Sequence, residues 1–307
     1  MTQYWKKLGQ LYDPTLKARH PKLNSHAANP LPVYMGNDVY RVFFSGRDEN
    51  NRSSVGAVDV DIAQRKVIAE HRHPFFEHGP PGGFFADGVS IGNCYEVDNV
   101  RYMLFMGWQA PVDGHWRGDI GRLIVTPEFS LELESSKPFM GSDSTDPISL
   151  SYPWVLEKPL GGFNMWYGST RAWDAGNGEM LHVIQHASSD DGHHWHRSGL
   201  TVPYELGRAQ AFSRPTVMTC KLGGFEMWFS YRSGSGEKYR IGYAKSTDGL
   251  NWSLHLEMAG ISVSDSGWDS EMIEYPFVFD HAGSRYMLYN GNGYGKTGFG
   301  LAVLEIA

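Results

Sequence analysis

Two carboxylic residues and four arginines have types and spacings suited to chemistry. Asp87 stands in Ala86-Asp87-Gly88-Val89, at the end of the Gly/Pro-rich run His78-Gly-Pro-Pro-Gly-Gly-Phe-Phe-Ala-Asp87, and Glu274 stands two residues before Pro276. A positioned carboxyl group can give or take a proton in a transition state. Arg47 lies seven residues after Tyr40, Arg171 seven after Asn164 and Arg232 six after Glu226, while Arg214 directly precedes Pro215. Guanidinium forks bind phosphate or carboxylate oxygens two at a time. In a chain of net charge −7, such a cluster is a local feature and not a consequence of composition. His26, three residues before Asn29, suits a proton shuttle or phosphate donor.

The elements that must position these residues follow from a repeat. Tyr40-Arg-Val-Phe-Phe44, Tyr102-Met-Leu-Phe-Met106, Asn164-Met-Trp-Tyr-Gly168, Glu226-Met-Trp-Phe-Ser230 and Tyr286-Met-Leu-Tyr-Asn290 begin 62, 62, 62 and 60 residues apart. A period that tiles the chain marks a repeat architecture. Each unit lacks helical periodicity and is rich in Val, Tyr, Phe and Trp, so it is a small sheet. The expectation is an all-β, five-bladed β-propeller with four antiparallel strands per blade, forming one domain over residues 1–307. The last blade runs short of chain, so Tyr4 to Tyr12 is expected to supply its outer strand and close the ring, covering an otherwise unpaired edge.

Within a unit, a first, inner strand ends at or near proline: Asn29-Pro30, Tyr152-Pro153, Arg214-Pro215 and Tyr275-Pro276. Proline fits the first residue of a strand, where no ladder donor is lost. Blade two uses Ala86 to Val89 instead. Two units carry a Ser-x-Asp-Gly-x-x-Trp turn, Ser189 to Trp195 and Ser246 to Trp252, with Asp-Gly making the tight turn and Trp covering a blade edge. Inner strands converge at one end of a propeller funnel and the following loops form its rim. The inner-strand candidates are His26, Asn29, Asp87, Ser149, Ser151, Tyr152, Ser213, Arg214, Glu271 and Glu274. Rim candidates include Arg47, Trp108, Arg171 and Arg232, and an exposed Trp near 108–116 would be a platform for sugar stacking.

Composition excludes several classes. The negative charge and pI near 6.0 offer no basic surface to nucleic acid. No apolar run is long enough for a membrane span, and the start Met-Thr-Gln-Tyr-Trp-Lys-Lys lacks the apolar core of a secretory signal. Cys94 and Cys220 read as two buried free thiols, so the expected location is cytoplasmic. The groups His71, His73, His78 and His193, His194, His196 lack cysteine partners and fall in outer turns, so no metal and no cofactor is expected. Each candidate also has a structural use. An arginine beside a strand can bridge blades, Asp87 before Gly88 can cap a turn, and Glu274 can pair with an arginine.

The x-Pro inner strands, the Met-Trp-Tyr second strand and the Ser-x-Asp-Gly-x-x-Trp turn resemble the five-bladed propeller glycosidases, glycoside hydrolase families 32, 43, 62, 68 and 130, over essentially the whole chain. Families 32 and 43 imply an Asp base or nucleophile on blade one, a supporting Asp on blade two and a Glu acid on blade three. This chain has Asn29 at the first place and Ser149-Leu-Ser-Tyr-Pro153 at the third; Asp87 alone keeps its place. An amide cannot act as that base, nor a hydroxyl as that acid. The pattern is closer to family 130, whose resemblance implies an inverting phosphorylase with one essential Asp, here Asp87, and cationic side chains holding phosphate. The chain also resembles the propeller region of glucosamine inositolphosphorylceramide transferases.

Two functions are therefore expected. One is a glycoside hydrolase or phosphorylase acting on a small carbohydrate with a phosphate or carboxylate. Its catalytic residues would be Asp87 and Glu274, its binding residues His26, Asn29, Arg47, Trp108, Tyr152, Arg171, Arg214, Arg232 and Glu271. The other is a non-hydrolytic carbohydrate-binding or sugar-phosphate transfer protein of polysaccharide or glycolipid biosynthesis.

Overall fold

The computed structural model describes residues 3–16, 19–220, 223–234 and 236–306. Its strands are β1 (Gln3–Tyr12), β2 (Ser25–Gly36), β3 (Val39–Arg47), β4 (Ser53–Asp61) and β5 (Lys66–Glu70). Then come β6 (Gly88–Val97), β7 (Val100–Gln109), β8 (Arg117–Val125) and β9 (Leu131–Leu133), followed by β10 (Ser149–Glu157), β11 (Phe163–Ala172), β12 (Leu181–Ser189) and β13 (His196–Thr201). The last are β14 (Ser213–Thr219), β15 (Phe225–Tyr231), β16 (Arg240–Ser246), β17 (Trp252–Leu254), β18 (Glu274–His281), β19 (Ser284–Asn290) and β20 (Phe299–Ile306). Helix among the described residues amounts to one four-residue segment and two short 3-10 turns.

Every fourth strand begins a new antiparallel meander, so β2–β5, β6–β9, β10–β13 and β14–β17 are four blades; a single bridge, Ser53 to Gly88, joins the first two. The fifth runs β18-β19-β20-β1, with Gln3 opposite Ile306 and Tyr12 opposite Phe299. The N-terminal strand is therefore the outer strand of the last blade. Trp5 and Tyr12 are buried there, so the closure seals apolar surface as well as a ladder. Inner strands pack in a ring, β2 on β6, β6 on β10, β10 on β14, β14 on β18 and β18 on β2. This is the β-propeller anticipated from the aromatic period.

The ring is fastened by buried polar side chains that bond to backbone groups of the neighbouring blade. Asn93 Nδ2 donates to Val155 O at 2.8 Å and Asn93 Oδ1 accepts from Val155 N at 2.9 Å. Trp154 Nε1 donates to Val217 O and Thr216 Oγ1 to Pro276 O. The two Ser-x-Asp-Gly turns behave alike, Ser189 and Ser246 Oγ each accepting from the turn glycine N–H, and Gly249 O accepts from Trp166 and Trp252. Cys94 and Cys220 are free but half-buried, not fully buried.

The prolines depart from expectation. They sit inside the first strands, next to irregularities in register at Ala28/Leu31, Ser151/Trp154, Ser213/Thr216 and Glu274/Phe277. Asn29, Tyr152, Arg214 and Tyr275, each just before proline, have φ of 56°, 36°, 44° and 52°. A bulge supplies the place where a strand tolerates proline without losing a ladder bond. Blade two has its irregularity at Ile91/Cys94, spanning Gly92, where a Cβ would lie 2.4 Å from Pro153 O.

Candidate functional site

The bulges set which side chains face the centre. Just before them, Ser151 pairs with Gly168, Ser213 with Ser230 and Glu274 with Asn290. Ser90 pairs with Met106, 62 residues before Gly168. One level of the inner ring thus carries three serines and one glutamate. Ser90, Ser151 and Ser213 line a cavity of about 350 Å³. Its wall also includes Asn29, Arg47, Trp108, Tyr152 and Arg232, all anticipated from sequence, and no aspartate or glutamate is among the described residues that line it.

Glu274 is fully buried beside this wall, and neither carboxyl oxygen makes a hydrogen bond among the described residues. Burial pushes its carboxyl well above the usual glutamate range, with Arg47 and then Arg232 pulling it back. The phenols of Tyr152, Tyr239 and Tyr275 are pushed up too, chiefly by burial. A carboxyl group in such surroundings holds its proton. The carboxyl lies behind the cavity wall and is not part of its lining.

The arginines divide. Arg47 lines the cavity, and its guanidinium has no hydrogen bond or ion pair among the described residues. Arg232 lines it as well, paired with Glu179 at 2.6 Å and stacked over the Tyr239 ring at 5.0 Å. Arg214 is buried beneath: its Nη1 donates to Tyr275 O at 2.9 Å, and its Nη2 to Pro30 O at 2.9 Å and Gly92 O at 3.4 Å. Burial lowers its pKa to about 9. It rivets three blades through carbonyls that the bulges leave open. Arg171 donates to Thr145 O at 2.7 Å, lies 3.9 Å from Asp146, and is not part of the cavity wall.

Other expected residues also lie off the wall. Asp87 Oδ2 accepts from Ala110 N at 2.7 Å, holding the start of the 110–117 loop whose Trp116 does line the cavity. Glu271 is exposed and paired with Lys238. His26 has its Nδ1 2.9 Å from Ser25 Oγ, and burial, then Arg47 and Lys296, lower its pKa to about 4. Asn29 donates its backbone N–H to Asn290 Oδ1, and its own amide nitrogen has no partner among the described residues.

Sequence reasoning did not single out Ser90, Met180, His182, Tyr239 or Tyr294, which also line the wall. His182 is the second residue of β12, opposite Thr170 on β11. Its neutral neighbours Ser151 and Thr170 gave no charge pattern to notice.

No family model matches the chain. Two proteins of Mycobacterium tuberculosis, "Uncharacterized protein MT1551" of strain CDC 1551 / Oshkosh and "Uncharacterized protein Rv1502" of strain ATCC 25618 / H37Rv, are each 43% identical to it over 303 residues, 98% of this chain and 99% of theirs. The chain belongs to their family. Among solved structures it is similar to a glycosyl hydrolase from Bacteroides ovatus, with TM-score 0.73, 11% identity, and 99% of this chain and 94% of that one covered. It is likewise similar to a structure described under the GH130 family of mannoside phosphorylases and its glycoside hydrolases for beta-1,2 mannosidic linkages (TM-score 0.70, 10% identity, 99% and 94% covered). At such identities the likeness is one of fold, shared between this family and β-propeller glycoside hydrolases.

Proposed function

We propose that this protein acts on a sugar or glycoside that carries an anionic group, phosphate or carboxylate, held in the inner-ring cavity. The observation that carries the reading is Glu274: a buried carboxyl without hydrogen bonds, beside a wall whose cations are Arg47 and Arg232. Hydrolysis of a glycoside ordinarily uses two carboxyl groups. Here one protonated acid would serve the leaving oxygen, and water or arginine-bound phosphate would attack. Trp108 and Trp116 supply aromatic faces for a pyranose ring. Asp87 enters this reading as a positioning residue that fixes the Trp116 loop through Ala110.

A second reading has its own support. Asn29, Ser90, Ser151 and Ser213 occupy the wall with groups that bind hydroxyls but do not ionise at neutral pH. A propeller so lined would bind an anionic sugar, or present it for transfer in polysaccharide or glycolipid assembly, without cleaving it. One panel separates the two: sugar phosphates, uronic acids and nitrophenyl glycosides with and without phosphate, scored for binding and for turnover. Enzyme action predicts a substrate whose turnover falls 100-fold or more in Glu274→Gln while binding persists. Binding without turnover, lost in Arg47→Ala and Arg232→Ala, supports the second reading. No binding of any anionic sugar refutes both.

A further inference from the structure

The same cavity holds a group of residues to which neither reading gives a reacting role. Ser151 Oγ lies 2.6 Å from His182 Nε2, and His182 Nδ1 lies 2.8 Å from Thr170 Oγ1. The three side chains come from β10, β11 and β12, with Thr170 directly opposite His182 in the ladder. When Nδ1–H donates to Thr170, the Nε2 lone pair faces the Ser151 hydroxyl. Ser151 and His182 also form part of the cavity wall.

The surroundings are built around this contact. A Cβ on Gly168 would lie 2.1 Å from Ser151 Oγ and 2.4 Å from His182 Nε2. The corresponding rungs in blades two, four and five carry Met106, Ser230 and Asn290. Blade three therefore has glycine where a side chain would separate the pair. Tyr152, next to Ser151, is held at φ 36°, and the ring of Trp116 lies 5.9 Å from that of His182. A nucleophile in contact with a base, itself oriented by a third group, is the arrangement used in covalent catalysis.

We propose that Ser151 is a nucleophile served by His182, and that the cavity cleaves a short acyl ester carried on a sugar hydroxyl. Ser151 Oγ attacks the carbonyl carbon and its proton passes to His182 Nε2. Arg47 and Arg232 face the same cavity and offer positive charge to the oxyanion. The intermediate collapses, the C–O bond to the sugar breaks, and the imidazolium returns its proton to the departing sugar oxygen. Water then attacks the acyl-serine, again giving its proton to His182, and the acid leaves with Ser151 restored. Burial lowers the His182 pKa to about 3, which keeps the ring in its proton-accepting form but disfavours the imidazolium. Thr170 orients the ring without adding charge, so slow turnover is expected compared with a carboxylate-backed triad.

The test is independent of the glycoside reading. The purified protein is treated with a small alkyl fluorophosphonate, and the adduct is located by peptide mass spectrometry. In parallel, 4-nitrophenyl acetate hydrolysis is followed for a burst of nitrophenolate. One adduct on Ser151 is expected, with labelling and burst reduced at least 10-fold in Ser151→Ala and His182→Ala and slowed in Thr170→Val. No adduct on the wild-type protein, under conditions that label a control serine hydrolase, overturns the proposal. So does an adduct on another serine, and mapping on the wild type decides this even where a variant fails to fold.

Discussion

Replacing Glu274 by glutamine should change how stability depends on pH. Burial raises the folded pKa of Glu274 well above the usual glutamate range, whereas the unfolded chain titrates near the ordinary glutamate value of about 4.3. Between these two values the folded state binds more protons than the unfolded one. The contribution is then fully present below the unfolded pKa and is lost as pH rises through the folded pKa. The groups acting on Glu274 are Arg47 and Arg232, which oppose the shift, and it couples to Tyr152, Tyr239 and Tyr275, whose phenols stay neutral throughout. Within the window the slope approaches about 1.4 kcal/mol per pH unit. With an unfolding entropy of about 2.1 cal/mol/K per residue, a chain of 307 residues should convert that slope to about 2 °C in Tm per pH unit. Calorimetry of wild type and Glu274→Gln from about pH 4.5 upward should therefore give diverging curves, the variant gaining relative stability as pH rises. Parallel curves would refute the buried, protonated carboxyl and with it the proposed acid.

Phosphate or sulfate should raise the wild-type Tm, since a ligand at 100 times its Kd stabilises the folded state by about 2.7 kcal/mol; Arg47→Ala and Arg232→Ala should lose the effect, Arg171→Ala should keep it, and uniform shifts in all four proteins would refute the site. Arg214→Met should cost at least about 3 kcal/mol, because three buried carbonyls lose their donor at about 1–3 kcal/mol each; denaturant midpoints near wild type would remove its role as a rivet. Deleting residues 1–12 strips Trp5 and Tyr12 from their burial against blade five, at about 1.5–3 kcal/mol for each side chain, and leaves β20 with an unpaired edge. Differential scanning should show the whole ring melting earlier as one transition, and an unchanged Tm would contradict closure by β1.

The architecture was legible because blade spacing depends on aromatic residues that fill the same place in every unit. The closing strand was legible by elimination, since the final blade lacked an outer strand. The site was legible only in part, for a definite reason. In a strand, side chains alternate faces, so a one-residue irregularity reverses the assignment. Four inner strands carry such an irregularity beside a proline and β6 carries one at Gly92, and β11 carries another between Thr170 and Ala172, around Arg171. Repeat position therefore identified the correct loops for Arg47 and Arg232, but could not tell that Arg171 packs on Thr145 and Asp146 or that Arg214 lies under the floor. Asp87 follows a similar logic: proximity to β6 was readable, but its bond to Ala110 was not. His182 carries no sequence signal, because its partners are a serine and a threonine from separate strands.

The closure by β1 has a consequence in time. Gln3 waits for Ile306, so some 300 residues must be made before the first strand meets its partner. At about 5–20 residues per second, this strand stands unpaired for about 15–60 s during synthesis. Blades one to four draw all their strands from consecutive chain and can assemble as they emerge, whereas blade five cannot. Lys6 and Lys7, between the buried Trp5 and Tyr12, keep charge next to the strand's apolar side chains during that interval. The order of synthesis thus makes the last blade the step on which completion of the ring, and of the cavity beside Glu274, depends.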